Sequence, residues 1–149
     1  MVVSLRRKII RVQWDTPRSV DEAIDCPESL LPGLYYITHV WGDKERSLYI
    51  GKASNTIRER LRSHKKEWLY RYQRGKMYVR LGHIIYPREV DSELIDHAES
   101  ALIFENQDIL RENTDKRGYY SYTELYRVEN IGDIGGLKET ADMYEHPDQ

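Results

Sequence analysis

Two glycine triplets, Gly33-Leu34-Tyr35 and Tyr49-Ile50-Gly51, each set a tyrosine beside a residue that lets backbone or substrate come close. A phenol can donate, accept or transfer a proton. A strand tyrosine also serves as half-buried packing, and with twelve tyrosines in the chain the triplets alone decide nothing. Downstream, Arg60 and His64 are one helical turn apart and share a face beside Leu61 and Trp68. A guanidinium fork there suits phosphate oxygens and an imidazole suits proton transfer. A snorkelling arginine and a satisfied core histidine fit the same positions. Charge is segregated too: Arg58 to Arg80 holds nine Lys or Arg against two acids, and Asp91 to Asn113 holds seven acids against Arg111 alone. The first stretch offers a phosphate-facing surface and the second offers metal-binding carboxylates, unless both are solvated helix faces of opposite sign.

These groups need elements to position them. Ile10, Val12 and Trp14 alternate with polar residues as in a strand, and Ser19 to Ile24 reads as a short helix. Leu34 to Val40 has strong β-propensity, Trp41 to Arg46 reads as a turn, and Ser47 to Ile50 returns, making a hairpin. After Gly51 the period becomes helical, with Ser54 or Asn55 as cap and an end near Gly75. Tyr78 to Tyr86 reads as a third strand stopped by Pro87, and Asp91 to about Arg111 as a helix with an apolar stripe. The Tyr-rich stretch from Tyr119 to Val128 holds a further strand. Gly132, Gly135 and Gly136 mark turns before a helix around Leu137 to Tyr144, and His146 to Gln149 reads as a frayed end.

At 149 residues and 40% apolar content the chain suits one domain, 1–149. A charged fraction of 32% and a mean hydropathy of -0.74 exclude a helical membrane span, and a cytoplasmic location is the expectation. The single Cys26 forms no internal disulfide and no zinc pattern. Its carboxylate neighbours Asp25 and Glu28 make a poor setting for a nucleophilic thiolate.

The ordered run Gly33-Leu34-Tyr35, Tyr49-Ile50-Gly51-Lys52, Arg60, His64 and a following acidic helix resembles the catalytic domain of the GIY-YIG endonuclease superfamily, over about residues 33–113. The resemblance implies an α/β (α+β) fold: a small three-stranded mixed, mainly antiparallel central sheet flanked by helices. That core would cover about residues 30–115, with an N-terminal strand and helix extension and a C-terminal Tyr-rich extension. It carries the family's two tyrosines onto Tyr35 and Tyr49, its arginine onto Arg60, its frequent histidine onto His64 and its basic residue onto Lys52. The metal-binding glutamate falls on Glu99, followed by Leu102-Ile103, with Glu105 as the alternative. Asn113 matches the closing asparagine two residues beyond the usual spacing, with Asp108 in place of proline.

The activity so implied is hydrolysis of phosphodiester bonds in nucleic acid, DNA ahead of RNA, with Mg²⁺ or Mn²⁺. Glu99 would hold the ion, Arg60 the phosphate, and Tyr35 would take the proton of the attacking water, with Tyr49 competing for that role and His64 assisting. Lys52, Lys65, Lys66, Arg71, Arg74 and Lys76 would supply salt-sensitive binding, with Trp41, Tyr36 and Trp68 as stacking groups. Specificity would come from a partner protein or be low. The competing readings are a non-catalytic nucleic-acid-binding module and a protein-interaction module on the same fold.

Overall fold

The computed structural model describes residues 6–145, so the expectation of a frayed end at His146 to Gln149 lies outside the described residues. Its organising unit is the expected hairpin, longer than the sequence reading gave. β3 (Gly33–Trp41) and β4 (Lys44–Ala53) pair from Gly33↔Ala53 to Trp41↔Lys44 across a Gly42-Asp43 turn, where Gly42 takes φ +64°. β5 (Lys76–Tyr86) lies antiparallel to β3 on its other side. A register shift leaves Leu48 as an extra residue in β4, so that Leu48 and Tyr49 both turn toward the same face as Tyr35.

The expected three-stranded sheet is wrong. Among the described residues the sheet has seven strands and curls into a mixed half-barrel, with three α-helices. β1 (Lys8–Trp14) adds antiparallel to β5, β6 (Tyr126–Gly132) adds parallel to β1, β7 (Thr140–Asp142) adds to β6, and β2 (Arg18–Ser19) pairs with the start of β5. The two stretches read as extensions are therefore part of the sheet. Burial is the physical reason: Ile10, Val12, Trp14 and Val128 are almost fully buried, and the Trp14 ring lies over Gly82 where any Cβ would meet it at 2.6 Å.

Side-chain alternation along β3 divides two cores. Tyr35 and Ile37 pack with Val79, Leu81, Ile57 and Leu61 beneath α1 (Val20–Asp25) and α2 (Ile57–Glu67). Leu34 and Tyr36 pack on the opposite face with Trp14 and with Ala98, Leu102 and Ile103 of α3 (Ser92–Glu105). α2 is capped by Thr56, whose hydroxyl accepts from Glu59 N at 3.2 Å, rather than by Ser54 or Asn55. It stops at Glu67, short of Gly75, because Trp68 leaves the helical region and a 3-10 turn follows over Leu69–Arg71. α3 stops at Glu105, short of Arg111, where the Asn106 amide takes the Leu102 carbonyl at 2.8 Å and accepts from Lys138 N at 3.0 Å. The helix expected around Leu137 to Tyr144 is absent; β7 occupies that stretch, with Leu137, Ala141 and Met143 buried at even spacing. Among the described residues no helix is long and apolar enough to cross a membrane.

Candidate active site

Edge strand β4 ends between α2 on one face and α3 on the other. The cleft there encloses about 430 Å³ and is lined by Lys52, Ser54, Asn55, Thr56, Glu59, Arg60, Glu99 and Asp115. Local geometry explains why the two glycine triplets frame it. The Tyr35 ring lies directly over Gly51, its cross-strand partner, so a Cβ there would sit 2.3 Å from the ring. At Gly33 a Cβ would come within 3.0 Å of the Gly82 carbonyl.

Behind the cleft runs an ordered chain of hydrogen bonds. Trp68 Nε1 donates to His64 Nδ1 at 2.9 Å, and His64 Nε2 lies 2.7 Å from Tyr35 Oη. An indole N–H can only donate, so Nδ1 is the accepting nitrogen, the neutral ring carries its proton on Nε2, and His64 donates to Tyr35. Burial, helped by the Arg60 charge, pushes the His64 pKa down to about 4, which keeps the ring neutral. His64 is 4% exposed and both nitrogens are engaged, which makes it an orienting group for Tyr35 rather than a phosphate contact.

The two phenols differ in access. Tyr35 is fully buried, and burial followed by the neighbouring Tyr49 raises its pKa strongly against the lowering effect of Arg60. Tyr49 is half-buried and stacks on Tyr35 at 6.1 Å between ring centroids. Its pKa is raised by burial and then by the Glu99 charge, while Arg60 and the Tyr35 hydroxyl pull it down. The Tyr49 oxygen thus collects the donors that favour a phenolate, and it is the tyrosine with solvent access.

On the other wall, the Glu99 side chain is 10% exposed, and burial raises its pKa while Lys116 and Lys52 lower it. Lys116 Nζ lies 2.9 Å from Glu99 Oε1 and 2.6 Å from Asp96 Oδ1, and Lys52 Nζ is 2.6 Å from the same Asp96 oxygen. Glu105 lies elsewhere: it accepts from Asp142 N at 3.2 Å and Tyr144 Oη at 2.9 Å, tying the C-terminal segment to α3. Asn113 is a buried structural amide, accepting from Ile50 N at 3.0 Å and donating to Ile50 O at 2.9 Å, so that it completes the open edge of β4.

The fold does not gather the other basic residues into the cleft. Lys65 pairs with Asp21 at 2.5 Å, and with Lys66 it faces α1. Arg74 and Lys76 lie at the far end of the hairpin, about 20 Å away by strand rise. There Arg74 stacks over the exposed Trp41 at 5.8 Å, with Arg71 on the 3-10 turn just before it. Trp68 packs beside Tyr49 and His64, and Tyr36 is buried on the opposite face. Three site residues escaped the sequence reading. Asp96 had a signal, being one turn before Glu99 on the same helix. Trp68 was read as a stacking group or as core and not as a donor to His64, and Lys116 had no local signal at all.

Divalent-ion chemistry fits this donor set. Glu99 is a buried carboxylate already matched to a cation, and among the described residues no three His, Cys, Asp or Glu side chains group closely enough to cage an ion. An ion here would rest on one or two carboxylates plus water and phosphate oxygens, the mode Mg²⁺ favours. Compared with protein-family models, with curated proteins and with solved structures, the chain matches none of them.

Proposed function

We propose that this chain is a divalent-metal-dependent endonuclease of the GIY-YIG kind, hydrolysing phosphodiester bonds, with DNA as the first substrate to test. The observation that carries the reading is the convergence of Arg60 and Glu99 on one cleft, with Tyr49 close enough to feel both charges and Tyr35 and His64 behind it. Residues from a hairpin, α2 and α3 meet there, and packing alone does not require a carboxylate, a guanidinium and two phenols in one place.

In this reading Tyr49 is the proton acceptor for the attacking water. Trp68, His64 and Tyr35 form a fixed donor chain behind it, so the Tyr49 oxygen is oriented; the Tyr35 hydroxyl and Arg60 stabilise its phenolate form, which becomes the neutral phenol on taking the water's proton. Arg60 also presents its fork to the scissile phosphate, where it neutralises growing charge. Lys52, on the cleft wall, adds a second cation for the phosphate. Glu99 would hold the divalent ion, which would supply Lewis-acid chemistry when bound. Neutralising Glu99 also removes one of the two causes that raise the Tyr49 pKa.

A second reading has one observation in its favour. Lys116 already neutralises Glu99, as it would in a nucleic-acid-binding module without turnover. Incubating supercoiled and branched DNA, and structured RNA, with Mg²⁺ or Mn²⁺ separates the two. The enzyme reading expects cleavage that falls at least a hundredfold in Tyr49→Phe and Glu99→Ala and survives in Glu105→Ala. Salt-sensitive binding with no cleavage of any substrate overturns it in favour of the second reading.

A further inference from the structure

Lys116 holds a conformation that lysine rarely adopts. It is the one non-glycine residue among those described with φ in the left-handed region, at 62°, where Cβ crowds the backbone and Gly or Asn is the usual occupant. Such an outlier persists only where its surroundings fix it, and here the fixing contacts are made by the side chain. The ammonium donates to Asp96 O at 3.2 Å and Asp96 Oδ1 at 2.6 Å and is ion-paired with Glu99 Oε1 at 2.9 Å. Its side chain is 18% exposed, against 10% for Glu99. Asp96 and Glu99, one turn apart on α3, therefore converge on one point, and a cation already stands there.

We propose that Lys116 is a displaceable counter-ion of the Glu99 site. It holds both carboxylates in the free protein, yields their oxygens to a divalent ion, and turns its ammonium to a substrate phosphate. The inference rests on Glu99 being the metal ligand, as argued above. Two features allow the exchange: the stem is a flexible four-carbon chain, and its neighbours Thr114 and Asp115 are exposed, so the loop has room to swing. Because ammonium and divalent ion compete for the same oxygens, removing the ammonium tightens ion binding. A salt bridge present only for stability gives the opposite pattern, in which its loss weakens the fold without improving ion affinity.

The test is Mn²⁺ binding to the free full-length protein at pH 8, read by calorimetry and by the electron paramagnetic resonance signal of unbound Mn²⁺, with no nucleic acid present. Lys116→Gly relieves the left-handed backbone while removing the charge, so it should fold. It and Lys116→Met should bind Mn²⁺ at least about tenfold more tightly than wild type, while Lys116→Arg stays near wild type. Glu99→Gln, introduced into each background, should abolish this binding and so exclude unrelated acidic sites. Binding that depends on Glu99 but is equal or weaker in Lys116→Gly overturns the counter-ion role and leaves the metal reading standing. Binding that appears only when Lys116 is absent makes the lysine a permanent occupant and also overturns the proposal. If no variant shows Glu99-dependent binding, the metal reading falls together with it.

Discussion

The contact between Gly51 and Tyr35 makes the sharpest quantitative test of the site's architecture. A Cβ at residue 51 would meet Cζ and Oη of Tyr35 at 2.3 Å each and Cε2 at 2.7 Å. Ordinary carbon contacts are about 3.5–4.0 Å, so the ring must withdraw by more than about 1 Å. It has nowhere to go: Tyr35 is fully buried, stacked on Tyr49 and hydrogen-bonded to His64. Overpacking a filled core costs about 1–3 kcal/mol, and losing a buried hydrogen bond about 1–3 kcal/mol more. Gly51→Ala should therefore destabilise the protein by roughly 2–6 kcal/mol. Tyr35→Ala should cost about 3–5 kcal/mol through the cavity it leaves. In the double variant the new methyl points into that cavity, so the combined loss should fall short of the sum by about 2 kcal/mol, within the range seen for contacting pairs. Urea unfolding of the four proteins measures this coupling. Additivity to within about 0.5 kcal/mol would show that the ring is not what keeps residue 51 glycine.

Three further expectations follow from neighbouring contacts. His64 is held neutral by burial and by Arg60, with its pKa pushed from 6.5 to about 4, so the unfolded chain binds a proton there that the folded protein refuses. Stability is thus complete above about pH 6.5 and lost as pH falls toward 4. Wild type should lose roughly 1–2 kcal/mol more than His64→Gln between pH 7 and pH 5 in denaturant titrations, and identical losses would refute the assignment. Trp68→Phe removes the donor to His64 Nδ1; ¹⁵N imidazole shifts should then show the proton leaving Nε2 for a mixture of tautomers, whereas an unchanged tautomer would mean that Tyr35 fixes it alone. Asn113→Ala strips both partners from the buried Ile50 peptide groups. It should cost roughly 2–4 kcal/mol in urea and speed exchange of the Ile50 amide, and a protected amide in the variant would argue against this role.

What the sequence disclosed was what it encodes locally. Tyr35, Tyr49, Arg60 and His64 lie within thirty residues on a hairpin and the helix that follows it, so strand alternation and one helical turn suffice to bring them together. Pairing across long separations has no such signature. β1 and β6 join in parallel over Lys8↔Tyr126 to Trp14↔Gly132, and nothing near either segment announces the other. Read singly, each looks like a short extension. β7 was harder still, since three residues after a glycine-rich turn carry no resolvable period, and Leu137, Ala141 and Met143 suit a helix face almost as well as a strand. Glu99 and Glu105 differ in what each touches. Both are on α3, but they lie almost two turns apart, and one meets Lys116 while the other meets Asp142 N and Tyr144.

The place of Asn113 is set by long-range contacts in the same way. α3 ends at Glu105, and the chain from Asn106 to Asn113 then returns along β4, where Glu112 N donates to Leu48 O at 2.8 Å and Asn113 grips both peptide groups of Ile50. Leu48 is the bulged residue of β4, so that return must reach a strand one residue longer than its partner. This segment covers the sheet's open edge, and the chain continues to Lys116, whose ammonium pairs with Glu99 at 2.9 Å. The Asn113 bonds and the Lys116 contact thus depend on one loop, and shortening it by two residues should loosen both.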